Sequence, residues 1–157
     1  MKTMMTALAA LALAAIPAAA SAQNVEKIGT PGGRILTGAK VSANADILFL
    51  SGNLGSPLTP GGTDYGDTKA QTISTLTKIK GLLAAQGYEM KDIVRMDAYL
   101  VAPEGGNGKM DFAGFNAGFA EFFNTTENPT TVTRTTMQIA GLAAPWGLVE
   151  ITVIAAK

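Results

Sequence analysis

Arg134 in "TVTRTTMQIAGL" and Glu150 in "GLVEITVIAAK" are the residues best suited to chemistry in a chain of 157 residues with no histidine and no cysteine. Those two absences exclude a Ser-His-Asp triad, a Cys-His dyad and a histidine- or thiolate-ligated zinc. What remains is a cation whose planar fork matches a carboxylate, where lysine would offer only a point charge, and an anion able to position water. Each stands in a strand-like segment. Two-residue alternation puts Val132, Arg134, Thr136 and Gln138 on one strand face. By strand position alone, Arg134 is equally an ordinary surface or interface ion-pair partner. Glu150 is a lone acid in an apolar run, so it needs a cation, hydrogen bonds or water. It either orients water or serves as a structural partner for Arg134 or another cation.

The segments that must carry this pair follow an address. Residues 1–22 read as a secretory signal peptide: Lys2 gives the positive start, Ala7 to Ile16 the apolar run, Pro17 the break, and Ala20-Ser21-Ala22 the small-x-small cleavage site. The apolar run is about half of the roughly 20 residues a membrane span needs. The expected mature chain begins near Gln23, is periplasmic or secreted, and at about 135 residues forms one domain, 23–157. With 12 basic and 12 acidic residues, the chain has no general attraction for nucleic acid or an anionic membrane. No disulfide framework is available. No cofactor and no metal are expected: "PGGR" and "PGGT" are turn sequences without the context of a phosphate loop, and Asp64 and Asp67 lack calcium-loop spacing.

Arg34 to Val41 reads as a first strand and Asp46 to Gly52 as a short buried one, with Ser51-Gly52 ending it. Turn residues make Asn53 to Asp67 a loop. Asp67 is a helix N-cap, Ala70, Ile73, Leu76, Ile79 and Leu83 recur at helical spacing, and Gly87 stands where such a helix stops. Asp92 to Val101 is a strand. A second helix carries Phe112, Phe115, Phe119 and Phe122 or Phe123 as an apolar stripe, which is core rather than a cofactor box. Val132 to Ile139 and Leu148 to Ala155 close the chain as strands. This order predicts an α+β domain, one mixed sheet with two helices on one face.

Four segments in this order resemble the Rid family, the reactive intermediate deaminases or YjgF-like proteins: "ILFLSGNLG", "FAGFNAGFAEFF", "NPTTVTRTT" and "GLVEITVIAA". The resemblance covers nearly all of the chain after residue 22. It implies a chorismate-mutase-like fold and a homotrimer with clefts between subunits. It also implies hydrolysis of 2-imino acids and enamines to 2-keto acids and ammonia. In such proteins the arginine matching Arg134 grips the substrate carboxylate and the glutamate matching Glu150 helps hold the water. Ser51, Gly52 and Asn116 match other cleft positions, and Thr136 stands where the family often has cysteine. The chain departs from the family in two places. The stretch "GGRILTGAKVSA" lacks the cleft tyrosine of a Gly-Pro-Tyr-Ser-like motif, and the segment between Arg134 and Glu150, containing Trp146, is one residue longer.

The leading expectation is an imine hydrolase acting on small 2-imino acids, a reaction that positioning and modest electrostatic help can speed without a strong nucleophile. The alternative is a noncatalytic trimer that binds a small carboxylate or shields other proteins. A ribonuclease activity sometimes attached to this family has no basic excess or interleaved basic-aromatic patch behind it. The signal-peptide reading makes a direct prediction. Intact mass of protein recovered from the periplasm should correspond to a chain starting at Gln23, and a mass that retains residues 1–22 would exclude cleavage.

Overall fold

The computed structural model describes residues 24–157, so the expected signal peptide lies outside the described residues. Strands β1 (Val25–Ile28) and β2 (Gly38–Val41) form an antiparallel hairpin. They are followed by β3 (Ile47–Leu54), α1 (Thr68–Ala85), β4 (Ile93–Leu100), α2 (Phe112–Phe119), β5 (Thr133–Gln138) and β6 (Val149–Ala156). The last four strands form a mixed sheet in the order β3-β6-β4-β5. Strands β4 and β5 run parallel and the other pairs antiparallel. Both helices bury their apolar residues against one face of this sheet, as the α+β reading expects.

The local signals in the first helix operate as the sequence implies. The Asp67 side chain accepts from the Ala70 amide at 2.8 Å. At the other end Gly87, at φ +75°, allows its amide to reach Ala84 O at 3.0 Å and that of Tyr88 to reach Leu83 O at 2.9 Å. This paired arrangement satisfies carbonyls that a helix end leaves open. Leu76, Ile79 and Leu83 are fully buried. The N-terminal half differs, since it buries Thr68, Gln71, Thr72 and Thr75 while Ala70 and Ile73 are only half-buried. The cause is a close approach of the two helices at Gly118, where an added methyl would lie 2.8 Å from Thr72 Cβ and 3.0 Å from Lys69 O. Small and β-branched residues fit that gap, and the Thr72 hydroxyl donates to Thr68 O at 2.7 Å, so its burial leaves no unmet donor.

Three expectations are corrected. First, α2 stops at Phe119 rather than Phe122 or Phe123, and the chain turns through Asn124 at φ 56°. Phe123 still enters the core, stacked 4.5 Å from Phe119, which is 6.3 Å from Phe115. Second, the first strand is shorter than Arg34 to Val41 and pairs with the unanticipated β1 outside the main sheet. Third, β3 does not end at Gly52 but runs on to Leu54. Its register against β6 shifts between Leu50 and Asn53, so Ser51 and Gly52 form a bulge. Its apolar run is also not buried on both faces, because Phe49 is 70% exposed.

The hairpin is fastened by Lys27, whose ammonium donates to Lys91 O at 2.7 Å and Thr131 O at 3.0 Å. Burial pulls this lysine down to about 8, against the opposing pull of Asp92. Between pH 8 and 10.5 the folded chain therefore binds fewer protons at Lys27 than the unfolded chain, and stability contributed there rises with pH. The melting temperature of the wild type minus that of Lys27→Met should increase from pH 8 to about 10; a flat difference would contradict the burial. Gly118→Ala tests the helix contact. The usual gain of up to about 1 kcal/mol in helix propensity should lose to overpacking of about 1–3 kcal/mol, giving a net fall in thermal stability.

Candidate functional site

Arg134 stands opposite Met96, a fully buried residue of the neighbouring parallel strand, so its side chain rises on the helix-covered face. There it meets α2. The guanidinium carbon lies 4.5 Å from the Phe119 ring centroid, 5.0 Å from that of Phe115 and 5.9 Å from that of Phe112. These ring faces attract a cation that has lost part of its water. Nη2 donates to Asn116 Oδ1 at 2.8 Å, and Asn116 Nδ2 in turn donates to Phe112 O at 2.8 Å, which fixes the amide. Nη1 is buried with no hydrogen-bond partner, and so is Thr136 Oγ1 one step along the same strand face. Two unmet buried polar atoms on the same face of one strand are an exception that calls for an explanation, and an acceptor outside this chain is one. Burial, and secondarily the nearby Arg34, pulls Arg134 down to about 10, which still leaves it a cation at neutral pH.

Arg34, Asp111, Phe112 and Asn116 line an open depression of about 800 Å³; Arg134 is not part of that lining and adjoins it through Asn116 and Phe112. Sequence reasoning missed Arg34. The signal was present, since Arg34 lies inside the segment noted for its missing tyrosine, but a single arginine in a turn-rich stretch carries no pattern of its own. Asp111 is engaged as the N-cap of α2, its Oδ1 accepting from Gly114 N at 2.8 Å.

Glu150 lies elsewhere. Val149, Ile151 and Val153 of β6 are buried in the core, so alternation sends Glu150 to the opposite, helix-free face of the sheet, beside Tyr99 and Leu54. Within one chain it is therefore not the ion-pair partner of Arg134, and that structural reading of Glu150 is corrected. Its carboxylate packs on Gly52, where any added methyl would fall on the carboxylate oxygens. The bulge makes this contact possible, and Ser51 beside it is exposed, its carbonyl accepting from Asn53 Nδ2 at 2.7 Å. The anticipated residues thus fall into two groups, Arg134, Asn116 and Thr136 on one face and Ser51, Gly52 and Glu150 at the other. The helix-free face also carries Ile47, Phe49 and Met137, all substantially exposed.

A third feature was missed as well. Gln71 is almost wholly buried, and its amide donates to Gly66 O and Trp146 O, both at 3.2 Å, and accepts from Leu148 N at 2.8 Å. It joins the loop after β3 to the loop before β6, where Tyr65 and Trp146 stack with centroids 3.5 Å apart. Among the described residues no group of three or more acidic side chains is placed to hold a metal ion, and no helix is long and apolar enough to cross a membrane.

The sequence matches the family model described as Endoribonuclease L-PSP over residues 39–157. A RutC family protein of Saccharolobus solfataricus is 32% identical over 134 residues, covering 84% of this chain and 94% of the relative. A second RutC family protein, from Pyrococcus horikoshii, is 33% identical over 84 residues, covering 52% of this chain and 60% of that relative's length. Among solved structures, a Rid family protein of Yersinia pestis superposes with a TM-score of 0.67 at 20% identity, covering 86% of this chain and all of the other. TdcF of E. coli, solved with bound serine, gives a TM-score of 0.58 at 26% identity, over 84% of this chain and 98% of that one.

The Gly52–Glu150 contact can be tested without any ligand. Gly52→Ala should destabilise by about 1–3 kcal/mol through overpacking. In the background of Glu150→Ala the same change should cost much less, giving a coupling energy in a double-mutant cycle on thermal or denaturant unfolding. Additive effects would mean that the carboxylate does not rest on the glycine.

Proposed function

The chain belongs to the Endoribonuclease L-PSP family, the Rid/YjgF group, and from that membership we propose that it hydrolyses small 2-imino acids to 2-keto acids and ammonia after export. The observation that carries this reading is Arg134. Its Nη2 is fixed by Asn116 while its buried Nη1 has no partner. A carboxylate is the group that completes such a fork, because it accepts two parallel N–H bonds and neutralises a partly desolvated cation. The serine bound to E. coli TdcF also carries a carboxylate.

The reaction asks little of the protein. Water adds to the imine carbon and gives up a proton as the carbon–nitrogen double bond becomes single. The resulting amine is protonated and leaves as ammonia, while the new hydroxyl gives up its own proton and closes to the keto group. Glu150 is the carboxylate suited to take the proton from water and return it to the departing nitrogen. Since Glu150 and Arg134 lie on opposite faces of one sheet, the proposal requires a second copy to bring its Glu150 to the first copy's Arg134. The exposed Phe49, Ile47 and Met137 give the helix-free face an apolar surface that such an assembly, a homotrimer by the family resemblance, would cover. A noncatalytic carboxylate binder is the reading that a lone chain favours, because there Arg134 has no water-activating neighbour.

A freshly generated panel of 2-imino acids, followed by ammonia and keto-acid release, separates the two. Arg134→Lys keeps charge but loses the fork and should cost about 2–5 kcal/mol of binding. Glu150→Gln should lower turnover more than it weakens binding. Mixing these two inactive variants and reassembling them should restore activity in about a quarter of the clefts, those built from one intact half of each. Full activity of Arg134→Lys would remove the carboxylate anchor, and no recovery on mixing would remove the shared cleft.

A further inference from the structure

Arg34 is held in place more firmly than an exposed arginine in a hairpin loop needs to be. Asn124 Nδ2 donates to Gly33 O at 2.9 Å, the buried Thr131 hydroxyl donates to Arg34 O at 2.8 Å, and Leu36 N reaches Val132 O at 2.9 Å. All three ties go to the segment that leads into β5, which places Arg34 at the rim of the depression shared with Asn116 and Phe112. Arg34 is also the charge that, after burial, pulls Arg134 down, and the two arginines share Asn116 and Phe112 as neighbours. Among the described residues neither forms an ion pair, and Asp111, the acidic residue of the lining, is committed to capping α2.

One α-carboxylate needs one guanidinium. Neighbouring cations repel each other, and a ligand with two negative groups relieves this more than a ligand with one. On the reading that Arg134 holds the α-carboxylate, we infer that Arg34 receives a second, terminal carboxylate, so that the cleft prefers dicarboxylic 2-imino acids to monocarboxylic ones. Asn124 and Thr131 are positioning residues for Arg34, acting through its backbone.

Stable 2-keto acids of equal carbon number, 2-oxopentanedioate and 2-oxopentanoate, serve as probes in titration calorimetry at matched ionic strength. The dicarboxylate should bind the wild-type protein at least about ten-fold more tightly. Arg34→Gln, an exposed position whose backbone ties are kept, should weaken the dicarboxylate at least about ten-fold more than the monocarboxylate, and raise KM for the dicarboxylic imine with kcat little altered. Arg34→Lys should fall between the two. Equal affinity of the two probes, or an equal loss from both in Arg34→Gln, overturns the inference and leaves imine hydrolysis intact if monocarboxylic imines are turned over. A preference that depends on Arg34 without turnover of any imine upholds the inference while removing the hydrolase reading. If neither probe binds, both fall.

Discussion

Laying a guanidinium across three phenylalanine rings takes one side of it out of water, and the rest of the site is arranged around that burial. The rings supply an attractive surface but no hydrogen bonds, so the in-plane N–H groups must be met from elsewhere. Asn116 meets one of them, and its own amide is braced by the backbone of the helix that carries the rings. Phe115 and Phe119 therefore have two roles, since rings that fill the core also hold the cation, while Phe112 is 42% exposed. Close packing of α2 on α1 at Gly118 sets how deep those rings sit, which ties the geometry of the site to a helix–helix contact at Thr72 and the Lys69 backbone.

The pleat of the sheet imposes the second constraint. Residues one apart on a strand face opposite ways. Arg134 is aligned with buried Met96, while Glu150 is flanked by buried Val149 and Ile151. No side-chain rotation carries Glu150 through the core to the arginine. The bulge at Ser51 and Gly52 serves the other face, because the extra residue lets a glycine sit under the carboxylate. On the proposed hydrolase reading, two half-sites on opposite faces make association part of the chemistry rather than an addition to it.

Much of the fold was legible because its signals are local. An aspartate cap, a C-terminal glycine and apolar spacing delimit α1, and alternation locates β4, β5 and β6 to within a residue or so. What stayed hidden depends on contacts distant in sequence. A four-residue strand such as β1 is too short to show a period. Gln71 resembles any surface glutamine until the loops on either side fold against it. Reading Arg134 and Glu150 as a pair was silent about faces, since two strands each reveal their own alternation but not how the two phases relate. Arg34 was hidden for a similar reason, because only the hydrogen bonds from Asn124 and Thr131 place it at the depression.

The stack of Tyr65 on Trp146 has an optical consequence. Trp146 is the sole tryptophan of the chain, so indole emission has a single source, and a phenol ring lies almost parallel to it at 3.5 Å. Its backbone, four residues before Glu150, is joined through Gln71 to Leu148 just ahead of β6. A movement that separates the two loops unstacks the rings and changes the surroundings of an indole that is already 36% exposed, which alters its emission. The protein thus carries its own fluorophore at the carboxylate end of the sheet, able to report loop motion there without a label.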